Sequence, residues 1–430
     1  MSDMHQHSVR FVRETMLPEA APPESGRGVI KWMRANLFSN LSNTILSVAA
    51  LLVIYYLAVW ALPWFLNGVW DAPSIRACRD LLEGARGGCF AVLTERWNQL
   101  LFGFQYPSEL YWRPSVALIL LFVALAPVLF HKKFPRKMFY FTAIYPFFAF
   151  WLIWGGSILT PIFALLGFVV AYLFYARYVA RSFALGFLGG AAVALIVWIV
   201  TGWFPTEGIV AIEAVPSRYM GGFMLNLILG TVCVSLSLPI GIALALGRQS
   251  DLPLVKGICV VFIEFVRGVP LITLLFVANV VLAYFFPPGS SFDLILRVII
   301  MITMFASAYI AEVIRGGLAA LPQGQYEGAN SLGLNYAQSM RLIILPQALK
   351  ISIPGIVNVS VGLFKDTTLV SIISMFDLVG MIRGPVLAST EWNGVYWELL
   401  GFAALLFFIV CYGISQYSQY LERELQTDHR

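Results

Sequence analysis

Long apolar runs separated by short polar segments make up most of this chain, and the runs have the length of membrane-crossing helices. A helix needs about 20 apolar residues to cross the hydrocarbon layer. Runs of that kind recur from about residue 44 to residue 414. Backbone groups in lipid must be satisfied inside each segment, so the pattern predicts an all-α, polytopic protein. The spacing predicts about ten spans. They lie near Thr44–Trp64, Ser115–Phe130, twice within Met138–Tyr175, Phe183–Val200, Phe223–Leu246, Ile258–Phe285, Leu294–Ile314, Ile351–Phe376 and Trp397–Ile414. Met138–Tyr175 is too long for one span, and Gly155-Gly156-Ser157 with Pro161 breaks it into a tight hairpin of two helices.

Residues 1–26 are polar, with Pro18, Pro22 and Pro23 and no apolar core behind a basic start, so a disordered tail is expected and no secretory signal. His5 and His7 in such a tail are more often nothing than a metal site, and no metal is expected. Residues 28–38 mix apolar and basic types at helical spacing, which suits a short helix on the membrane surface with its cations near anionic headgroups.

Composition agrees: 59% of residues are hydrophobic and 12% charged, against about 25% charged in soluble domains. The net charge of +5 says less than where the cations sit. Arg27, Lys31 and Arg34, then Lys132, Lys133, Arg136 and Lys137, then Arg177 and Arg181 fall in alternate connections. Arg248, Lys256, Arg315, Arg341 and Lys350 continue the series. The positive-inside rule then predicts both termini in the cytoplasm, residues 65–113 and 202–218 outside, and 316–350 inside. The 65–113 segment carries five arginines balanced by Asp71, Asp80, Glu83, Glu95 and Glu109.

Of five cysteines, Cys233, Cys259 and Cys411 fall in or beside spans and read as buried thiols. Cys78 and Cys89 share the outer segment. An oxidising compartment would permit a disulfide between them, and sequence alone leaves open whether their Cα atoms approach.

No Gly-x-x-x-x-Gly-Lys-Ser/Thr loop, His-Glu-x-x-His or Gly-x-Ser-x-Gly occurs. Neither ATP hydrolysis nor a membrane-embedded hydrolase has visible chemistry on this chain, and no nucleic-acid partner is expected.

One polar, Gly- and Pro-punctuated segment stands out: Tyr326-Glu327-Gly328-Ala329-Asn330-Ser331-Leu332-Gly333, continuing to Ile343-Ile344-Leu345-Pro346-Gln347. It resembles the cytoplasmic coupling loop of ABC importer permeases, Glu-Ala-Ala…Gly…Ile-x-Leu-Pro, with Gly328 in place of the usual Ala. Four more blocks accompany it in order. Gly230-Thr231 with Ser235 runs to Gly247-Arg248. Glu264-Phe265-Val266-Arg267-Gly268-Val269-Pro270-Leu271 has Val269 for the usual Thr. Ala308-Tyr309-Ile310-Ala311-Glu312-Val313-Ile314-Arg315-Gly316-Gly317 matches almost throughout, and Lys365-Asp366-Thr367-Thr368-Leu369 follows. Together they resemble the membrane subunit of polar amino-acid ABC importers of the His/Glu/Gln/Arg/opine family. The added first half is most similar to the long M-type subunits of general L-amino-acid (Aap-like) or glutamate/glutamine/aspartate/asparagine (Bzt-like) systems.

The resemblance implies a multi-pass protein of the bacterial inner membrane with a five-span type I permease core over 219–420. It also implies a 1–43 tail and interfacial helix, an accessory region over 44–218 and a 421–430 tail. The implied partners are a second (Q-type) permease, an ABC ATPase dimer holding ATP and Mg, a periplasmic amino-acid-binding protein, membrane lipid and an amino-acid substrate, with no cofactor on this chain. Glu327, Gly328, Ala329, Gly333, Leu345 and Pro346 are the implied ATPase-coupling residues. Glu327 is expected near the start of a short helix, Gly333 at its end and Pro346 at the return to the membrane.

Charged residues inside a membrane pair with one another or face a cavity. Glu264 and Arg267, at i,i+3, read either as a lining of the substrate path or as an ion pair that fixes packing. Lys365, Asp366, Thr367 and Thr368 are the other candidates for the path. The rival reading is an ion- or proton-coupled secondary transporter using Lys365 and Asp366. Such transporters usually show an internal repeat, and none is visible.

Overall fold

Apolar runs become helices almost everywhere in the computed structural model, which describes residues 28–130, 132–179, 181–204, 210–281, 284 and 293–427. The tail over 1–26, with His5 and His7, lies outside the described residues. Two units separate, one of residues 1–68 with 82–88 and one of residues 69–81 with 89–430.

In the first unit, α1 (Gly28–Asn36) leads into α2 (Leu41–Leu66). Asn40 opens α2 by accepting the Asn43 N–H on its side chain, satisfying one of the free donors at a helix start. None of the 26 residues of α2 is buried, as expected of an apolar helix bathed in lipid. The Arg86 guanidinium lies 4.4 Å over the Trp60 ring.

The second unit begins with short helices α3 (Ile75–Leu82), α4 (Ala91–Glu95) and α5 (Trp97–Phe102). Four longer ones follow: α6 (Trp112–Leu129), α7 (Met138–Trp154), α8 (Leu159–Tyr178) and α9 (Phe183–Gly202). The predicted break forms the turn between α7 and α8. There β1 (Gly156–Ser157) pairs antiparallel with β2 (Ala211–Ile212). Gly155 takes φ +73°, and any side chain there would strike the Glu213 carbonyl.

The remainder is α10 (Gly222–Arg248), α11 (Pro253–Gly268), α12 (Leu271–Phe276), α13 (Leu294–Ala319), α14 (Gln323–Ser331), α15 (Tyr336–Ser339), α16 (Leu345–Asp366), α17 (Leu378–Met381) and α18 (Tyr396–Thr427). α13 is central, packing on α10, α11 and α16, while α18 packs on α16. Its Ile302 and Val298 join Leu225, Leu229 and Leu275 in one buried cluster. Its Ile310 and Ile314 join Ile263, Ile344 and Ala348 in another.

Among the described residues eight helices are long and apolar enough to cross a membrane, or nine if the bent pair α11–α12 counts as one. The 17-residue α7 falls just short of that length. The seventh expected span, Ile258–Phe285, is not one straight helix: over its described residues the chain bends by 102° between α11 and the segment Leu271–Val281. Val269 is extended and Pro270 opens the next helix, because a residue before proline is pushed out of the helical region. Two further boundaries shift. Gly316 and Gly317 lie inside α13 rather than in a loop, with Gly317 close against Ala348 and Ser352. The final helix continues to Thr427, where the sequence predicted a tail.

The segment predicted to lie outside is not a free loop. Within the second unit, residues of α3–α5 share a buried cluster with the last part of the chain, including Val92, Leu100, Leu378, Met381, Trp392 and Leu399. Arg96 Nη2 meets Glu391 Oε2 at 2.7 Å, and the Cys89 N–H donates to Glu398 Oε1 at 2.9 Å. Cys78 and Cys89 are joined with Cα atoms 5.9 Å apart, and both are buried.

Removing that link frees an 11-residue separation in the unfolded chain, a change on the order of 2–4 kcal/mol. Cys78→Ser/Cys89→Ser is therefore expected to lower the thermal midpoint of the purified protein by several degrees. An unchanged midpoint, with reductant also without effect on the wild type, would show that the link contributes nothing.

Candidate functional site

The Glu327–Pro346 segment forms two short helices hung between α13 and α16. Pro322 precedes α14, and its extended backbone starts the helix at Gln323. Glu327 is therefore the fifth of nine residues, not the first-turn residue expected, and a helix-dipole role falls away because that effect fades beyond the first turn. Its side chain is exposed, as are Gly328, Ser331 and Leu332, while Ala329 is buried. Tyr326 packs against a cluster that includes Leu318, Leu321, Met340 and Ile344. Gly333 takes φ +70° with open space around it, a left-handed turn that ends the helix as glycine allows. Asn335 and Gln338 then form a reciprocal capping box that opens α15. Pro346 sits in the first turn of α16 beside half-buried Leu345. Gln347 Nε2 donates to Gln325 Oε1 at 2.9 Å, tying α16 back to α14.

Glu264 and Arg267 belong to a network joining α10, α11 and α13. Arg248 Nη1 lies 2.8 Å from Glu264 Oε1 and 3.4 Å from Glu312 Oε2. Arg267 Nη1 is 4.0 Å from Glu264 and 3.8 Å from Glu312. Arg315 Nη2 reaches Glu312 at 2.6 Å. Glu312 is the hub, with three guanidinium groups around it. Partners on three helices make the packing reading of Glu264 and Arg267 the stronger one, since the charges compensate one another where lipid would penalise them.

The Lys365–Thr368 block divides. Asp366 lines a groove of about 250 Å³ with Phe305, Ala306, Tyr309, Val359, Gly362 and Leu363. Lys365 is exposed, and no ion pair joins it to Asp366 among the described residues. The Thr368 hydroxyl donates to the Lys365 carbonyl. Thr367 is fully buried. It donates to the Phe364 carbonyl at 2.7 Å and accepts from Asn226 Nδ2 at 2.9 Å. Thr367 is therefore a packing residue, not a lining one.

Residues 237–423 match the family described as binding-protein-dependent transport system inner membrane component. The glutamate/glutamine/aspartate/asparagine transport system permease protein BztC of Rhodobacter capsulatus is 51% identical over 98% of this chain and 99% of its own length. This chain belongs to the amino-acid ABC transporter permeases. The inner membrane amino-acid ABC transporter permease protein YhdY of Escherichia coli is 37% identical over 95% of this chain and 96% of its own. Among solved structures, an amino acid ABC transporter with histidines is 29% identical, covering 47% of this chain and 92% of that chain with a TM-score of 0.42. With eight or more apolar helices among its described residues, the chain is a multi-pass transport subunit.

Sequence reasoning missed a buried polar knot in this permease. Asn226, near the start of α10, donates to Thr367 and, at 3.1 Å, to Asp377 Oδ2, and accepts from the Leu378 N–H. Asp377 also accepts from Gly380 N–H at 2.9 Å and Val379 N–H at 3.3 Å, capping α17. The knot fastens the 367–381 segment onto α10. Asn226 was legible as a lone amide in an apolar span, and Asp377 as a carboxylate before Leu378-Val379-Gly380, a helix-start pattern.

Burial pushes the Asp377 carboxyl up to about 6, although Gly380, Asn226, Val379 and the Arg383 charge pull the other way. A raised carboxyl pKa means that the folded state binds more protons than the unfolded one between about pH 4 and 6. The folded permease should therefore lose stability as pH rises through that window, by roughly 2–3 kcal/mol. Asp377→Asn should flatten this pH dependence while adding a constant loss, because its amide N–H₂ would face another donor. Thermal midpoints between pH 4 and 7 check this; parallel profiles for the two proteins would contradict it.

Proposed function

We propose that this permease forms half of a heterodimeric path for amino-acid import, paired with a second, Q-type permease. In this reading an ABC ATPase dimer binds ATP and Mg and docks on the exposed Glu327–Leu332 face of α14 and the turn at Gly333. A periplasmic binding protein delivers the substrate. Closure of the ATPase dimer pushes on α14, and the Gln347–Gln325 tie passes the movement to α16 and from there to α13 and α18. No covalent chemistry takes place on this chain.

The observation that carries the reading is the near full-length match to a permease whose name includes glutamate, glutamine, aspartate and asparagine, because it covers the accessory half as well as the core. Acidic amino acids and their amides are accordingly the proposed substrates. The groove beside Asp366 supports a path there, since a carboxylate against two aromatic rings suits an α-ammonium group. Both termini and residues 320–344 are assigned to the cytoplasm, and 69–113 to the periplasm.

Cysteine labelling in intact cells tests the orientation together with affinity purification of a tagged chain. Position 335 should label only after the inner membrane is opened, position 76 without opening, and an ATPase and a second permease should co-purify. Periplasmic labelling at 335, or a chain that purifies alone, would overturn the assignment.

A further inference from the structure

The bend between α1 and α2 is a built feature. The Met33 carbonyl accepts from Leu37 and Phe38 N–H groups, which closes α1. The Ser47 hydroxyl donates to the Leu37 carbonyl at 2.8 Å, and Asn43 Nδ2 donates to Ser39 Oγ at 2.7 Å. These bonds hold an open recess of about 440 Å³ lined by Lys31, Arg34, Ala35, Phe38 and Ser39. Lys31 and Arg34 share a helix face at i,i+3, and neither has an ion pair among the described residues. No Asp or Glu occurs between residues 28 and 70, and the nearest carboxylates in sequence are Glu24 and Asp71. Ser39 Oγ already accepts one bond and keeps its hydrogen to donate. Around these polar groups α1 exposes Val29, Ile30 and Trp32, at 72%, 68% and 57%.

We propose that this recess binds the headgroup of an anionic phospholipid. Two cations and a hydroxyl match a phosphodiester. The exposed Val29, Ile30 and Trp32 suit the boundary between headgroups and acyl chains, and α2 enters its apolar run only four residues beyond α1. A free anion would leave that apolar rim unused. The site would hold the start of α2 at a fixed depth and tie the permease to the charge of its leaflet. The inference stands independently of the amino acid carried and of the motor that drives transport.

The test uses the full-length permease in nanodiscs of phosphatidylglycerol and phosphatidylethanolamine, with retained lipid read by native mass spectrometry. At about fivefold per cation near an anionic surface, Lys31→Gln/Arg34→Gln should retain phosphatidylglycerol about thirtyfold more weakly. Phosphatidylethanolamine should not change, Lys256→Gln should behave as wild type, and Lys31→Arg should keep the lipid. Millimolar inorganic phosphate should not displace it. Wild-type retention by the double variant would overturn the proposal, as would an equal loss in Lys256→Gln. Displacement by phosphate would show a free-anion site instead. α1 has no buried residue, so the double variant should fold.

Discussion

Replacing Glu327 with Lys should leave the permease inserted and folded while abolishing ATP-driven amino-acid uptake. The side chain is exposed in mid-helix and has no ion pair among the described residues, so the fold itself loses little, within about 0.5 kcal/mol for such surface changes. A reversed charge at a docking surface is different, because like-charge juxtaposition across an interface costs several kcal/mol. ATPase co-purification should fall at least about tenfold. Gly333 supplies the complementary case. Its φ of +70° with open space around it means that Gly333→Val pays in backbone strain alone, about 1–2 kcal/mol or more. The turn between α14 and α15 should shift and coupling fail with it, whereas Gly333→Asn, which tolerates the left-handed region, should be milder. Wild-type uptake and wild-type ATPase recovery in Glu327→Lys would remove Glu327 from the coupling surface, and a silent Gly333→Val would remove the loop.

Asp366→Asn should give the opposite separation: uptake at least about tenfold lower with ATPase association intact. Asp366 lines the groove beside Phe305 and Tyr309, and a charge-assisted bond to a substrate ammonium contributes about 1.5–3 kcal/mol. That range corresponds to roughly ten- to more than hundredfold. Thr367→Ala, at the next position of the same motif, should instead lower thermal stability by leaving Asn226 short of a partner. Transport assays in proteoliposomes and thermal midpoints separate the two outcomes. Normal uptake by Asp366→Asn would take the groove out of the path.

The spans were legible because lipid imposes a length and a uniformly apolar surface, as α2 and α8 show. The α7–α8 turn was legible because Gly155-Gly156 can go where side chains cannot. What the sequence did not disclose depended on partners far apart in the chain. The bend at Val269-Pro270 has a local signal in the proline, but the apolar residues on either side of it read as one continuous span. Glu327 lies deeper in α14 than its motif implies because Pro322, five residues upstream, sets where the helix starts. Arg248, Glu264, Arg267, Glu312 and Arg315 appear as separate motif residues until three helices bring them together. The outer segment likewise reads as a hydrophilic loop, and only its packing on Trp392 and Leu399 shows that it is part of the fold. Glu398 capping Cys89 across 309 residues has no signature in either local sequence.

The most direct test of the central assignment is uptake of labelled glutamate into proteoliposomes. These hold the permease, its co-purifying second permease and ATPase, with binding protein added on the outer-equivalent side. Uptake should require enclosed ATP and Mg as well as the binding protein, should stop with Glu327→Lys, and should be indifferent to a proton or sodium gradient. Accumulation by the permease alone, driven by an ion gradient without ATP, would contradict the account and return the secondary-transporter reading.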